Sequence, residues 1–215
     1  MKVDTETTTL NDIEDEEEVD EVVEALDIAL KAARNSYSRR INVRLIGRAG
    51  FGKSEIVDQW CDKNGLNLVE IDLSMIGPEY FGGVTARDPK DPEGSMNLPP
   101  KRLIDRLSVP NTVIFFDEYN RAKDSVRAPL HNLLTKYSLP DDRQPGGYID
   151  LRKTVLFCVA ASNPTGAAYR GAKPFESSEN TRFMDPKVSI NPLAHLKYLT
   201  SIYNDVINNK NASEE

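Results

Sequence analysis

The chain has 215 residues, 39% of them hydrophobic and 28% charged, which suits one globular α/β domain with a sizeable core and a polar appendage. No stretch approaches the roughly 18–20 apolar residues of a bilayer-spanning helix. The acidic start also lacks the basic and apolar regions of a secretory leader, so the expected address is the cytoplasm, with no membrane partner. The net charge of −7 is unevenly spread: residues 1–27 hold twelve Asp or Glu against Lys2 alone, −11, and the remainder holds 26 basic and 22 acidic residues, +4. A body so nearly balanced makes no strong case for a nucleic-acid partner. Cys61 and Cys158 each stand alone in an apolar run, which speaks against a disulfide framework or zinc motif and for two small core residues.

Residues 1–18, with a threonine cluster and the run from Glu14 to Glu18, read as a disordered acidic lead. From Val19 to Ala33 the apolar residues Val22, Val23, Leu26, Ile28, Ala29 and Leu30 recur at helical spacing, predicting a helix ahead of the core. Ile41 to Ile46 is a short strand ending at Gly47, followed by a glycine-rich turn and a helix from Lys53 to Lys63 that Asn64-Gly65 closes. Leu68 to Leu73 makes a second strand. Gly77 to Pro100, rich in Gly, Pro and Asp, predicts a long loop with a short helix. Arg102 to Leu107 is helical and Pro110-Asn111 breaks it.

Thr112 to Phe116 is an uninterrupted apolar strand, suited to the middle of a parallel sheet. Asp124 to Tyr137 is a helix with Val126, Leu130, Leu133 and Leu134 on one face, and Tyr137 to Leu151 a hairpin turning near Pro145-Gly146-Gly147. Val155 to Ala160 is a buried strand, Phe183 to Ile190 a short one, and Pro192 to Ile207 a last helix before a polar tail. Strands alternating with helices predict a parallel, doubly wound sheet covered on both faces. The expected domains are a lead over 1–18, a core with its leading helix over 19–191, and a C-terminal helix and tail over 192–215.

Gly47-Arg48-Ala49-Gly50-Phe51-Gly52-Lys53-Ser54 fits the phosphate-loop pattern G-x-x-x-x-G-K-S in full, with a strand entering and a helix leaving. Glycines let the backbone fold tightly so that several N–H groups converge on phosphates, and the helix start adds its positive dipole end. Lys53 is expected on the β and γ phosphates and the Ser54 hydroxyl on Mg²⁺. Phe51 packs beside a nucleotide base or simply covers the loop. Val113 to Phe116 leads into Asp117-Glu118, two carboxylates at the ligand-binding edge of the sheet. Asp117 is expected in the magnesium shell and Glu118 on the attacking water. The adjacent pair favours a hydrolase, with ATP and Mg²⁺ as ligands.

On these residues the chain resembles the AAA+ ATPases of the MoxR kind, which include the small ATPase subunit of cobalt chelatase and dynein-related modules. Asp117-Glu118-Tyr119-Asn120-Arg121-Ala122 is similar to that group's Asp-Glu-Ile-Asn-Arg-Ala, and Leu98-Pro99-Pro100 and Leu133-Leu134 sit where the group has similar residues. The resemblance covers residues 38–190. It implies a P-loop NTPase three-layer sandwich with strand order 5-1-4-3-2, a hairpin insertion and a short C-terminal helix. Ala160-Ala161-Ser162-Asn163-Pro164 resembles the sensor-1 segment, which puts Asn163 on the γ-phosphate or the attacking water. Arg182, in Thr181-Arg182-Phe183, resembles an arginine finger acting on a neighbouring subunit, which implies a homo-oligomeric ring, most often a hexamer. Arg121 is a further site or interface arginine. Thr181 stands where the family has an acidic residue, and no arginine follows Arg182 to serve as sensor 2, so the expected lid is minimal or truncated.

The resemblance implies a motor that remodels a protein partner or inserts a metal, often beside a von Willebrand A domain protein. Two alternatives differ in class: a DNA-directed motor or loader, which would want a basic face, and a nucleotide-binding regulator with little turnover. The 137–151 hairpin and the glycine-flanked Tyr80-Phe81 are candidate partner or pore loops, each with a plain structural alternative. His131 and His195 lie on helices without ligand-spaced partners.

Overall fold

A computed structural model describes residues 10–35, 40–91, 93–164, 182–186 and 188, with backbone alone for 10–20. Helix α1 runs from Leu10 to Asn35. It begins earlier than the expected Val19, so the 10–18 part of the acidic lead is helical. Glu is a good helix former, and acidic residues in the first turns sit favourably against the helix dipole. Residues 1–9 lie outside the described residues.

The chain then alternates as the pattern predicts. Strand β1 (Asn42–Ile46) leads to helix α2 (Lys53–Lys63) and strand β2 (Asn67–Asp72). The Gly77 to Pro100 segment holds the expected short helix, α3 (Glu79–Gly82), and also a hairpin of β3 (Val84–Arg87) and β4 (Ser95–Leu98). Sequence reading missed that hairpin because each strand has only four residues inside a Gly-, Pro- and Asp-rich segment, although Val84, Ala86, Met96 and Leu98 alternate with polar residues and pair across it. Helix α4 (Lys101–Leu107) precedes strand β5 (Thr112–Asp117), a 3₁₀ turn over Tyr119–Arg121 and helix α5 (Asp124–Lys136). The expected hairpin follows as β6 (Ser138–Pro140) and β7 (Tyr148–Asp150), then strand β8 (Val155–Ser162) and strand β9 (Phe183–Met184). Of the rest of the expected Phe183 to Ile190 strand, Asp185, Pro186 and Val188 are not strand, and positions 187, 189 and 190 lie outside the described residues. The Pro192 to Ile207 helix lies outside the described residues.

Five parallel strands form the central sheet in the order β2-β5-β8-β1-β9, with pairs such as Val113↔Phe157, Val43↔Val159 and Asn42↔Phe183. Counted along the chain, this is the expected 5-1-4-3-2. Because successive strand residues face opposite ways, Val43, Leu45, Val113, Phe115, Phe157 and Val159 pack with α1 and α2 in one core. Ile71, Ile114, Phe116, Cys158 and Ala160 pack with α3, α4 and α5 in the other. The result is three layers. Among the described residues no helix is long and apolar enough to cross a membrane.

Candidate nucleotide-binding site

Strand β1 delivers the chain to Gly47, whose N–H donates to Ser162 O at 3.1 Å, so the loop starts beside the end of β8. Gly50 and Gly52 adopt φ of 81° and 68°, left-handed values that favour glycine, and open space lies where a Cβ would stand on either. The α2 helix starts directly on Gly52 without a side-chain cap. Its first amides therefore remain available at the loop. Lys53 is buried, and its Nζ donates to Gly47 O at 2.8 Å and Arg48 O at 3.0 Å. Burial pushes the lysine below its ordinary range, opposed by the negative charges of Asp117 and then Glu118. The two carboxylates thus act on the same ammonium group. Ser54 occupies the next helical position, Arg48 and Ala49 are exposed on the loop, and Phe51 packs against the α1–α2 core.

Asp117 ends β5. Its backbone O accepts Leu73 N–H at 3.1 Å and its Oδ1 accepts Glu118 N–H at 2.8 Å. Glu118 itself turns the backbone with φ of 51°. Its carboxylate meets Arg121 Nε at 3.1 Å and Asn163 Nδ2 at 3.2 and 3.3 Å, while Arg121 N–H donates to Glu118 O at 2.8 Å. The structure therefore brings Asn163 to Glu118, and it places Arg121 on the same carboxylate. Asn120, given no role from sequence, is fully buried and donates from Nδ2 to Asn163 O at 2.7 Å. Its signal was its place two residues after Glu118 in the Asp-Glu-Tyr-Asn-Arg-Ala run.

Arg182 is not brought to this site. Phe183 pairs with Asn42 at the start of β1, whereas the phosphate loop follows the other end of that strand, about 17 Å away for five residues. Sequence reading also missed Arg44. This arginine is buried within β1, donates from Nε to Asp185 Oδ1 at 2.9 Å and lies over the Phe183 ring at 5.5 Å. Phe183 in turn meets Tyr119 edge-on at 5.7 Å. The candidate aromatic loop is anchored in part: Phe81 is fully buried and stands edge-on to Phe116 at 6.0 Å.

The residues fit a magnesium-bound triphosphate. Uncapped helix amides, a lysine reaching across the loop and open space over Gly50 and Gly52 suit a phosphate chain. One hydroxyl, Ser54, and one carboxylate, Asp117, suit Mg²⁺, which takes few protein ligands and fills its shell with phosphate oxygens and water.

No protein-family profile matches the chain, and no curated protein matches it in sequence. Solved structures do. A RuvB P216G mutant from Thermotoga maritima superimposes with a TM-score of 0.55 at 17% identity, over 88% of this chain and 52% of that one. A full-length MCM homolog from Methanopyrus kandleri gives 0.54 at 20% identity, over 79% and 34%. The chain thus spans about half the length of the first and a third of the second. With the strand order above, these likenesses show the class of fold: a three-layer α/β sandwich on a five-stranded parallel sheet, the core fold of AAA+ P-loop proteins.

Proposed function

We propose that this chain binds ATP with Mg²⁺ and hydrolyses it as one subunit of a homo-oligomeric ring. The observation that carries the reading is the convergence of Lys53, Asp117, Glu118 and Asn163 at the C-terminal edge of one parallel sheet. The loop amides and Lys53 hold the β and γ phosphates. Ser54 and Asp117 would hold the magnesium ion, which when bound neutralises charge on the phosphate oxygens. Glu118 accepts a proton from the water whose oxygen bonds to the γ-phosphorus as the bond to the ADP oxygen breaks. Asn163 fixes the carboxylate that does this. Arg182, remote from its own site, is suited to the site of the next subunit, where a cation stabilises charge on the transferred phosphoryl.

The resemblance to MoxR-kind ATPases further supports a protein partner, remodelled or loaded with metal, with a von Willebrand A domain protein as one such partner. The test is phosphate release and nucleotide binding by wild type, Lys53→Ala and Glu118→Gln, with and without duplex DNA. Lys53→Ala loses nucleotide binding, whereas Glu118→Gln keeps binding and loses turnover. Normal turnover by Glu118→Gln removes the catalytic assignment. Strong stimulation by DNA favours the DNA-directed motor over the protein remodeller.

A further inference from the structure

We infer that the basic groove at the sheet edge opposite the phosphate loop is the docking site for the acidic lead, residues 1–20, of a neighbouring copy of this chain. Arg40 and Arg152 stand just before β1 and β8, at the strand starts, and α5 ends there at Lys136. These residues with Tyr148 line a cavity of about 630 Å³. Through Arg40, Leu134 and Thr135 it shares its wall with a hollow of about 360 Å³ that reaches Arg182. Four cations thus border the two spaces. The carboxylate among them, Asp150, is held by Arg152 at 2.7 Å. The Arg40 guanidinium donates to the carbonyls of Leu156 and Arg152 and lies over the Tyr137 ring at 5.0 Å, which fixes a positive charge in the wall.

The complementary charge is on the same chain. Residues 1–20 contain nine Asp or Glu and only Lys2, interspersed with the apolar Leu10, Ile13 and Val19. Tyr148, 58% exposed on the groove wall, offers an apolar surface to match them. Helix geometry keeps residues 10–20, which hold seven of those nine acidic residues, from the groove of their own chain. At 26 residues α1 is about 39 Å long. Its end at Asn35 precedes Arg40 and the groove edge, while β1, against which it packs, spans five residues, about 17 Å. The helix start therefore lies beyond the far edge of the sheet, on the phosphate-loop side. A second copy stacked head to tail brings that start to the groove. This is the polarity that Arg182 requires in the proposed ring, and the inference rests on that arrangement.

Two measurements test it on the full chain. Glu16→Cys and Lys136→Cys subunits are mixed and mildly oxidised; the native Cys61 and Cys158 are buried. Inter-chain disulfide forms at least tenfold faster than with Lys90→Cys, which places the thiol on the exposed turn between β3 and β4. Rates equal to that control overturn the inference. A labelled peptide of residues 1–20 binds the chain, and the affinity falls at least fivefold between 50 and 300 mM salt, as screened charges require. Lys136→Glu, or Gln and Asn at positions 14–18 of the peptide, weakens binding at least tenfold. Binding indifferent to both changes, or a DNA duplex that displaces the peptide at lower concentration than unlabelled peptide does, overturns it. ATP binding is measured on the same samples. Its absence alongside rapid crosslinking would sink the nucleotide-site reading and leave the docking intact.

Discussion

Replacing Asn163 separates the orienting role assigned to it from mere packing. The residue is 4% exposed, and its amide nitrogen lies 3.2 and 3.3 Å from the two Glu118 oxygens. A hydrogen bond to a charged group contributes about 1.5–3 kcal/mol. If that energy serves to aim the carboxylate in the transition state, Asn163→Ala lowers kcat by about 10- to 150-fold, with little change in KM for ATP. Asn163→Asp is more severe because a second carboxylate then faces Glu118. At about 3 Å and an effective dielectric of about 20, two unit charges repel by about 5 kcal/mol. One of the pair accordingly retains a proton to higher pH. Steady-state phosphate release at saturating Mg-ATP, with circular dichroism to confirm folding, gives both numbers. An Ala variant within twofold of wild type, or an Asp variant no slower than Ala at pH 8, refutes the reasoning.

Arg182→Ala lowers turnover by on the order of 10³ while each subunit still binds nucleotide. Mixing it with Lys53→Ala restores part of the activity, since each partner supplies what the other lacks; full activity of Arg182→Ala in an assembled ring would contradict this. Burial pushes the Cys61 and Cys158 thiols up to about 12, so a thiol-exchange reagent at pH 8 labels neither until denaturant is added. Prompt labelling of the native chain would show these groups to be accessible. Asn42 donates to Leu134 O at 3.2 Å and accepts from Tyr137 OH at 2.5 Å and Cys158 N–H at 3.0 Å. Asn42→Leu strands all three partners and costs about 3–5 kcal/mol in a denaturant titration; a loss under 1 kcal/mol would mean they find other partners. Glu118→Gly is more stable than Glu118→Ala by about 0.5–1 kcal/mol, the left-handed penalty of Ala less the extra chain entropy of Gly. Equal denaturation midpoints would remove the strain from that turn.

The sheet was legible wherever its strands are buried on both faces. Thr112 to Phe116 and Val155 to Ala160 are apolar runs because each neighbour pair faces a different core, and the register confirms the split. Illegible were the polar residues that strands bury. Arg44 reads as a solvated strand residue until Asp185, 141 positions later, lies against it. Asn42 likewise takes its partners from 92 to 116 positions away. Neither distance leaves a local pattern. The β3–β4 hairpin was missed for another reason: two apolar residues per strand, Val84 and Ala86 against Met96 and Leu98, make too short an alternation to stand out in a Gly-, Pro- and Asp-rich segment.

The candidate site was legible in its motif residues because phosphate chemistry dictates their types locally, as with left-handed glycines at positions 50 and 52. Its internal bracing was not. Asn120 reaches Asn163 across 43 positions, and Asn163 reaches back to Glu118, closing a loop that no local window contains. Glu118 is the position where the local rules disagree with the fold. A left-handed backbone there would favour Gly or Asn, and a non-glycine residue pays roughly 1–2 kcal/mol for it. Hydrogen bonds of 2.8 Å from Glu118 N–H to Asp117 and from Arg121 N–H to Glu118 O hold the turn regardless. Glycine would satisfy both bonds without the strain, because they use only Glu118's backbone. What it would not supply is the carboxylate that Arg121 and Asn163 grip, and those contacts, with the role proposed for that carboxylate, are what glutamate adds there.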